Sequence, residues 1–368
     1  MNSKNRALSE DRSFLKETAL IIISGFFYFL ALWLKARPYI TERYYSTYIN
    51  KAVRTALSQF TGAVSFSVAE IFFYFNIMLG FFAAISLITK LFTGGAFLAL
   101  RKIIRYILIL YIFFMILWGF NYSRVSVAEM NGLESRFYSK SQLAELCTRL
   151  IEEANHQRDI IKDQDLSRPA DEDYQVYIDE AHRGFTKLGD DIPQMSGSYG
   201  PPKPVVSSPL MLYTGITGIY MPYTAEANVN ISVPMLLFPS TLMHEMAHQR
   251  GIAPEDEANY IAYLASRDMD DGVFRYSGTM LALIHSMNAL YSDDQEMAEE
   301  IRQGYSEQVR EDIRYYSEFW KKYEGRANDA ADRINDTYLK VNNESDGVKS
   351  YGKMVDLLLA HYYQKGGL

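Results

Sequence analysis

The chain has 368 residues, which is enough for two folding units. Residues 1–124 contain 14 Lys and Arg against 5 Asp and Glu, whereas the remainder contains 23 against 39. Neither part carries the concentrated basic face that nucleic-acid binding requires, so we expect no nucleic-acid partner. The single cysteine, Cys147, excludes an intramolecular disulfide and a cysteine-ligated metal site, and its apolar neighbours predict a buried position. We expect a basic membrane domain over residues 1–124 and an acidic domain over 125–368.

Three long apolar runs in the first domain, residues 18–34, 71–89 and 103–120, predict three transmembrane helices. Each is about long enough to cross roughly 30 Å of hydrocarbon as a helix. Lys35 and Arg37 follow the first run directly, with no small-residue cleavage site, so we expect an anchor that is not cleaved. Buried helices of a soluble protein are the alternative, but three such runs so close together favour the membrane.

The charges that flank these runs predict an orientation. Four Lys or Arg residues precede the first run and four flank the second loop, against five spread over the longer first loop. Because short, positively charged segments stay in the cytoplasm, we expect the N-terminus inside and the second domain outside. The protein would then be a multi-pass protein of the cell membrane with an extracytoplasmic second domain.

The second domain is predicted to be mainly α (α+β), with a small sheet. Helices are expected over residues 139–161 and 174–188, and a Gly- and Pro-rich loop at 196–204 interrupts the helical pattern. Residues 225–233 then alternate apolar and polar side chains, which predicts a half-buried strand. The chain after Thr241 has a helical pattern.

Residues 244–248 form an HExxH motif. Residues typical of a helix start precede it and Gly251 supplies a stop, so we expect the motif on one helix. His244 and His248 are four positions apart and share a face, which lets both imidazoles reach one zinc ion at about 2.0–2.1 Å. Glu245 lies beside them, where it can act as the catalytic general base.

Catalytic zinc takes three protein ligands and keeps one open position, so a third ligand must come from another segment. A second helix is predicted from Pro254, with Glu255 and Glu257 in its first turn. We favour Glu255, because small residues share its face and would let the two helices approach closely. Asn259 lies on that face and would hydrogen-bond a ligand imidazole. Glu257 is the rival, and acidic residues in a first turn also stabilise a helix without any metal.

The HExxH motif followed by the string ExxAN at 255–259 resembles the gluzincin pattern, in which the first glutamate of the second string binds zinc. The run at 218–230 (GIYMPYTAEANVN), with HEMAHQRG, EDEANYIAYLA and the late string DGVKSYGKMVDLLLA, resembles an uncharacterised bacterial family of membrane-anchored HExxH proteins. The resemblance covers nearly the whole chain and implies a zincin-type fold with peptidase activity. Only six residues separate His248 from Glu255, fewer than in many gluzincins, so the choice between Glu255 and Glu257 stays open.

In zincins generally, an edge strand above the metal pairs with extended substrate through backbone hydrogen bonds. The resemblance implies that the strand at 225–233 has this role. Its polar face, Glu226, Asn228 and Asn230, would then line the substrate cleft. A solvated sheet face is the alternative.

A group that stabilises the oxyanion of the tetrahedral intermediate is also expected. By residue type alone, the candidates are Arg275, Tyr276, His285 and Tyr351. His285 lies in an apolar helical stretch, so a core histidine is the alternative for that position.

Together these features predict three N-terminal transmembrane helices joined to a zincin-like metallopeptidase domain. Such an enzyme would use Zn²⁺ to hydrolyse a peptide or protein substrate near the membrane surface. The alternatives are a non-catalytic membrane receptor or scaffold with a structural zinc site, and a membrane-assembly factor that binds partners through its helices.

Overall fold

The computed structural model describes residues 3–134, 136–341 and 353–368. The chain is mostly helical with one small sheet, and it divides into two compact units. The first unit comprises Met1–Val53 and Val68–Arg124, and the second comprises Arg54–Ser67 and Val125–Leu368. Composition assigns residues 54–67 to the membrane half, but they pack with the second unit.

The first unit contains the helices that could cross a membrane, together with shorter helical stretches. Its elements are α1 (Ser3–Lys35), α2 (Pro38–Ile40), a π-helical stretch (Thr41–Ile49), α4 (Val68–Thr93) and α5 (Ala96–Leu117). The π-helical stretch continues into α3 (Asn50–Gly62), which crosses from the first unit into the second at residue 54. Two stretches are long and apolar enough to cross a membrane, Leu15–Lys35 and Val68–Thr93. They contain the predicted spans at 18–34 and 71–89, and they indicate that the protein associates with a membrane.

The third predicted span overlaps α5, which carries charges near its start. The carboxylate of Glu17 in α1 accepts hydrogen bonds from Arg101 Nε at 2.7 Å and from an Arg105 NH group at 3.1 Å. These ion pairs balance the charge where α1 and α5 pack together. Because α5 is not among the helices that qualify as spans by length and composition, a third span stays a prediction.

The second unit is a helical assembly with most of the buried apolar side chains. Its helices after α3 are α6 (Val127–Met130), α7 (Lys140–Ile160), α8 (Tyr174–Glu180), α9 (His182–Asp191), α10 (Ser208–Met211), α11 (Phe238–Gln249), α12 (Glu255–Arg267), α13 (Gly272–Asp293), α14 (Gln295–Arg302), α15 (Glu307–Lys321), α16 (Arg326–Val341) and α17 (Lys353–Lys365). Helices α11, α12 and α13 pack against one another, and α7 packs on α13. The core therefore surrounds the helix that bears the HExxH motif.

Helix α7 begins with a capping box. The Ser139 hydroxyl accepts from the Gln142 N–H, and the Gln142 side chain accepts from the Ser139 N–H. Cys147, on the apolar face of this helix, is fully buried as the sequence predicts.

The single helix predicted at 174–188 is two helices, α8 and α9, which meet at Ala181. Helix α9 lies very close to α12, because a Cβ atom at Gly184 would come within 2.3 Å of the Ala265 carbonyl oxygen. Only glycine allows this approach.

The sheet has three short strands: β1 (Lys203–Pro204), β2 (Gly218–Met221) and β3 (Glu226–Val229). Their order is β1-β3-β2, with β3 parallel to β1 and antiparallel to β2. The alternating segment therefore forms a central strand, and the prediction that it is an edge strand is wrong. Strand β2 packs on α11, and one of its edges is paired with no other described strand.

The alternation within β3 does separate two faces of the sheet. Ala227 and Val229 lie on the face that packs on α11, and so does Gly218, which is paired with Val229. Glu226 and Asn228 lie on the opposite face, because successive side chains of a strand alternate. The alternating pattern is correct, but its polar face does not turn toward α11.

Residues 54–67, which we call the strap, cover this polar face. The Lys203 ammonium group reaches the strap and donates to the carbonyls of Thr61 at 3.0 Å and Phe66 at 3.2 Å, and also to the carbonyl of Val64. Burial lowers the pKa of Lys203 from its ordinary value. The strap is thus an integral part of the second unit.

The remaining polar side chains of this face are also buried. The Ser67 hydroxyl donates to Asn228 Oδ1 at 2.6 Å, and Glu226 lies 3.7 Å from the Lys203 ammonium group. Asn230 donates to the Ile216 carbonyl at 3.0 Å. Both sequence interpretations of this face, a cleft lining and a solvated surface, are therefore wrong, since the strap and neighbouring loops cover it.

Candidate metal centre

The HExxH motif lies on α11, as the sequence predicts. Pro239 is in the first turn of the helix, where its missing N–H removes no intrahelical hydrogen bond. After the helix, Gly251 has a φ of +85°, a conformation that favours glycine and lets the chain reverse. The rings of His244 and His248, one turn apart, have their centroids 4.6 Å from each other.

A short turn leads from α11 to α12 and fixes both histidine rings. Within it, the Ile252 carbonyl accepts a 2.6 Å hydrogen bond from His248 Nδ1. Helix α12 then begins at Glu255 and packs along α11. One turn further, Asn259 Oδ1 lies 2.8 Å from His244 Nδ1, which is the contact expected for this residue.

Three potential ligand atoms meet between the two helices. Glu255 Oε2 lies 3.1 Å from His244 Nε2 and 3.5 Å from His248 Nε2. The ligand atoms of these three residues all lie within 4.8 Å of one another. Since Asn259 Oδ1 and the Ile252 carbonyl can only accept, both histidines donate through Nδ1 and direct Nε2 at Glu255. A cation held between the two Nε2 atoms and the Glu255 oxygen would satisfy all three groups.

The electrostatics of this cluster favour positive charge at its centre. Burial lowers the pKa of His248, but the Glu255 carboxylate outweighs it and raises the pKa to about 9. Burial likewise raises the pKa of Glu255, but the histidines hold this pKa well below its ordinary value. A divalent cation supplies the same positive charge without requiring protonated ligands.

Glu245 lies beside this cluster and is almost fully buried. Burial raises its pKa to about 7, while the positive charge of the two histidines opposes the rise. The backbone N–H of Tyr220 in β2 donates to the Glu245 carboxylate. Its Oε2 atom accepts no hydrogen bond from the described residues.

Strand β2 is in contact with this glutamate. A Cβ atom at Gly218 would lie 2.5 Å from Glu245 Oε1, so the absence of a side chain lets the strand approach the carboxylate. Neither this glycine nor the Tyr220 N–H was singled out from the sequence, because a strand of four residues has too little periodicity to be recognised.

The donor set suits zinc. Two imidazoles and one carboxylate are ligands found in catalytic zinc sites, whereas calcium and magnesium prefer oxygen ligands alone. Among the described residues, no fourth His, Cys, Asp or Glu joins His244, His248 and Glu255. A fourth position would remain for water or substrate, next to the orphaned oxygen of Glu245.

Residues 45–359 match the model of a family described as "Protein of unknown function (DUF3810)". The chain belongs to this family. Comparisons with curated proteins and with solved structures give no match. The region of this DUF3810 protein that the family model covers contains the strap, helices α4 and α5, and the whole candidate metal centre.

In this DUF3810 protein, Glu257, the alternative third ligand, contacts helix α6. Glu257 Oε1 accepts a 3.0 Å hydrogen bond from the Val127 N–H, which ties α12 to α6. Glu257 does not belong to the group of converging ligand atoms, whereas Glu255 does.

The residues predicted by type to stabilise an oxyanion do not join the cluster. Tyr276 is fully buried and donates to Asp312 at 2.9 Å, and Arg275 bonds Gln157 and backbone carbonyls. His285 is partly buried on α13. Tyr351 lies outside the described residues. The prediction is wrong for Tyr276 and Arg275, whose polar groups hold helices together.

Proposed function

We propose that this protein is a membrane-bound zinc metallopeptidase. The observation that carries the proposal is the convergence of His244 Nε2, His248 Nε2 and Glu255 Oε2 beside a buried glutamate, Glu245. Its substrates would be peptides or proteins near the membrane surface, because two helices in the described part of the chain are suited to a bilayer. The resemblance to the gluzincin pattern supports the same reaction class.

Zinc, when bound, would polarise the scissile carbonyl and lower the pKa of water. Glu245 takes a proton from the attacking water as a carbon–oxygen bond forms, and gives a proton to the amine when the carbon–nitrogen bond breaks. Burial raises the pKa of Glu245, which increases its strength as a base. Asn259 and the Ile252 carbonyl keep the two imidazoles oriented.

Strand β2, rather than β3, would pair with an extended substrate. Its contact with Glu245 at Gly218 and Tyr220 puts an edge strand beside the candidate reaction centre. An extended peptide would bind along this edge by β-strand addition.

A structural zinc site is the competing interpretation, and the number of ligands argues against it. Structural zinc is almost always held by four protein groups, whereas the described residues offer three. An open coordination position next to a general base is typical of hydrolytic sites.

Replacing Glu245 by Gln tests the proposal. The full-length protein in detergent should contain zinc and hydrolyse a mixed-sequence fluorogenic peptide library, and Glu245→Gln should keep the zinc and lose most of the hydrolysis. Glu296→Gln, an exposed glutamate on α14, is the matched control and should behave like wild type. Equal hydrolysis by wild type and Glu245→Gln would refute a catalytic role, and zinc without hydrolysis in wild type would favour the scaffold.

The proposed topology has three spans with the N-terminus inside. Helix α5 is helical over Ala96–Leu117, and Glu17 neutralises two of its arginines, which supports a third span. In intact cells, an impermeant maleimide should label a cysteine at Glu318 but not one at Gly94. Labelling at both positions would contradict this topology.

A further inference from the structure

Residues 204–225 form an uncharged segment in a strongly acidic unit. Five large apolar side chains of this segment are 36% to 83% exposed: Val206, Leu210, Tyr213, Ile216 and Ile219. Helix α16 packs on Leu212–Thr214 of this segment, and the Tyr213 ring lies edge-on to Tyr323, which follows α15, with the centroids 5.3 Å apart. Exposed apolar side chains that adjoin one another mark interaction sites. We call these five residues the apolar patch.

The strap adds two aromatic side chains to the exposed apolar surface of the second unit. Phe60 is 80% exposed and Phe66 is 49% exposed. The backbone of Phe66 is fixed to the sheet, because its carbonyl accepts from Lys203 of β1. Aromatic side chains are enriched where membrane proteins meet the headgroup region.

Hydrogen bonds connect the end of the strap to the apolar patch. The Ser67 hydroxyl donates to Asn228 Oδ1, and Asn228 Nδ2 donates to the Ile219 carbonyl at 3.2 Å. Ile219 is paired directly with Asn228, so both side chains lie on the sheet face that the strap covers. The patch residue Ile219 is therefore held beside Ser67.

The chain continues from Ser67 directly into the candidate membrane span Val68–Thr93. Any residue held beside Ser67 is thus held close to the level at which the chain enters the bilayer. The acidic residues elsewhere in the second unit would be repelled by anionic lipid, whereas the uncharged segment would not. Continuity with the span identifies lipid as the occupant of the patch.

We propose that the apolar patch, together with Phe60 and Phe66, rests in the interfacial region of the bilayer. The surface would hold the second unit against the membrane with β2, which borders Glu245, near the lipid headgroups. This inference concerns the surface alone and does not depend on hydrolysis at the metal centre.

Site-specific fluorescence in lipid tests the proposal. Single cysteines replace Leu210 or Tyr213 in the full-length protein, with Val176 as the control because it is 57% exposed on α8. Each carries an environment-sensitive fluorophore, in nanodiscs of phosphatidylcholine and phosphatidylglycerol with one protein each. The native Cys147 interferes little, since burial raises its pKa to about 12.

Labels at Leu210→Cys and Tyr213→Cys should shift their emission to the blue and be quenched by nitroxide-bearing lipid, whereas Val176→Cys should respond to an aqueous quencher. The same result is expected with Glu245→Gln present. Patch labels that respond like Val176→Cys would overturn the proposal. Patch labels shielded from both quenchers would overturn it as well, because protein rather than lipid would then cover the patch.

Discussion

The guanidinium group of Arg54 donates a 2.7 Å hydrogen bond to the backbone carbonyl of Gln249, the last residue of the HExxH helix. The final carbonyls of a helix have no intrahelical partner, and a cation near them is favourable. Arg54 also lies against Gly251, where a Cβ atom would come within 2.7 Å of the guanidinium. The strap thereby fixes the end of α11 from which the chain turns to Glu255.

Replacing Arg54 by Ala should destabilise the second unit. The Gln249 carbonyl would lose a charged donor in a buried position, and the expected loss is about 1–3 kcal/mol in the free energy of unfolding. Denaturant unfolding of the full-length protein in detergent measures this change. Arg314→Ala removes an exposed arginine from α15 and should cost much less. Equal stability of the two variants would show that the strap contact is unimportant.

The local features of the candidate metal centre could be predicted from the sequence, but the sheet and the strap around it could not. HExxH spacing and the Gly251 stop determine where His244 and His248 lie, because both depend on positions a few residues apart. The sheet order depends instead on β1 and β2, strands of two and four residues that carry no periodic signal. The sequence therefore predicted the two faces of β3 but not its central position.

The packing of the strap on the second unit could not be predicted for a related reason. A segment between two apolar runs is typical of a connecting loop. The residues that bind the strap, Lys203 and Gln249, lie more than 130 residues further along the chain. Only the folded chain brings such distant partners together. The prediction for the polar face of β3 is wrong for the same reason, because Asn228 accepts a hydrogen bond from Ser67 of the strap.

Zinc content should distinguish the two glutamates at the start of α12. Glu255→Ala should lose zinc, because Glu255 Oε2 is the carboxylate oxygen that faces both imidazoles. Glu257→Gln should keep zinc and lose about 1–2 kcal/mol of stability, since its carboxylate accepts from the Val127 N–H. Metal analysis of purified proteins decides between them. Loss of zinc in Glu257→Gln but not in Glu255→Ala would reverse the assignment.

A methyl group at Gly218 should impair catalysis without removing zinc. In Gly218→Ala, the new Cβ would lie 2.5–2.8 Å from atoms of the Glu245 side chain, so the carboxylate or strand β2 must move. Displacing a general base by about an ångström costs roughly tenfold to a hundredfold in turnover. Gly325→Ala, where a Cβ would meet nothing within 4 Å, is the control. Wild-type turnover in Gly218→Ala would argue against Glu245 as the base.

His361 on α17 should make the protein less stable in mild acid. Its Nε2 lies 2.8 Å from an Arg267 NH group, which can only donate, so Nε2 accepts and Nδ1 carries the proton toward the Tyr260 hydroxyl. Burial, with Arg267 and Lys365 nearby, lowers the pKa of His361 from 6.5 to about 4. The folded protein thus binds fewer protons than the unfolded chain between these pH values.

The contribution of His361 to stability should therefore fall as the pH decreases from 6.5 to about 4, whereas Glu245 and Asp256, whose pKa values burial raises, act in the opposite direction. His361→Gln keeps an acceptor for Arg267 but cannot titrate, so its free energy of unfolding at pH 4, relative to its value at pH 6.5, should be higher than that of the wild type. Urea unfolding of the full-length protein at several pH values measures the difference. His156→Gln, an exposed position on α7, should retain the wild-type slope. If His361→Gln also retains it, the neutral histidine contributes nothing to the pH dependence of stability.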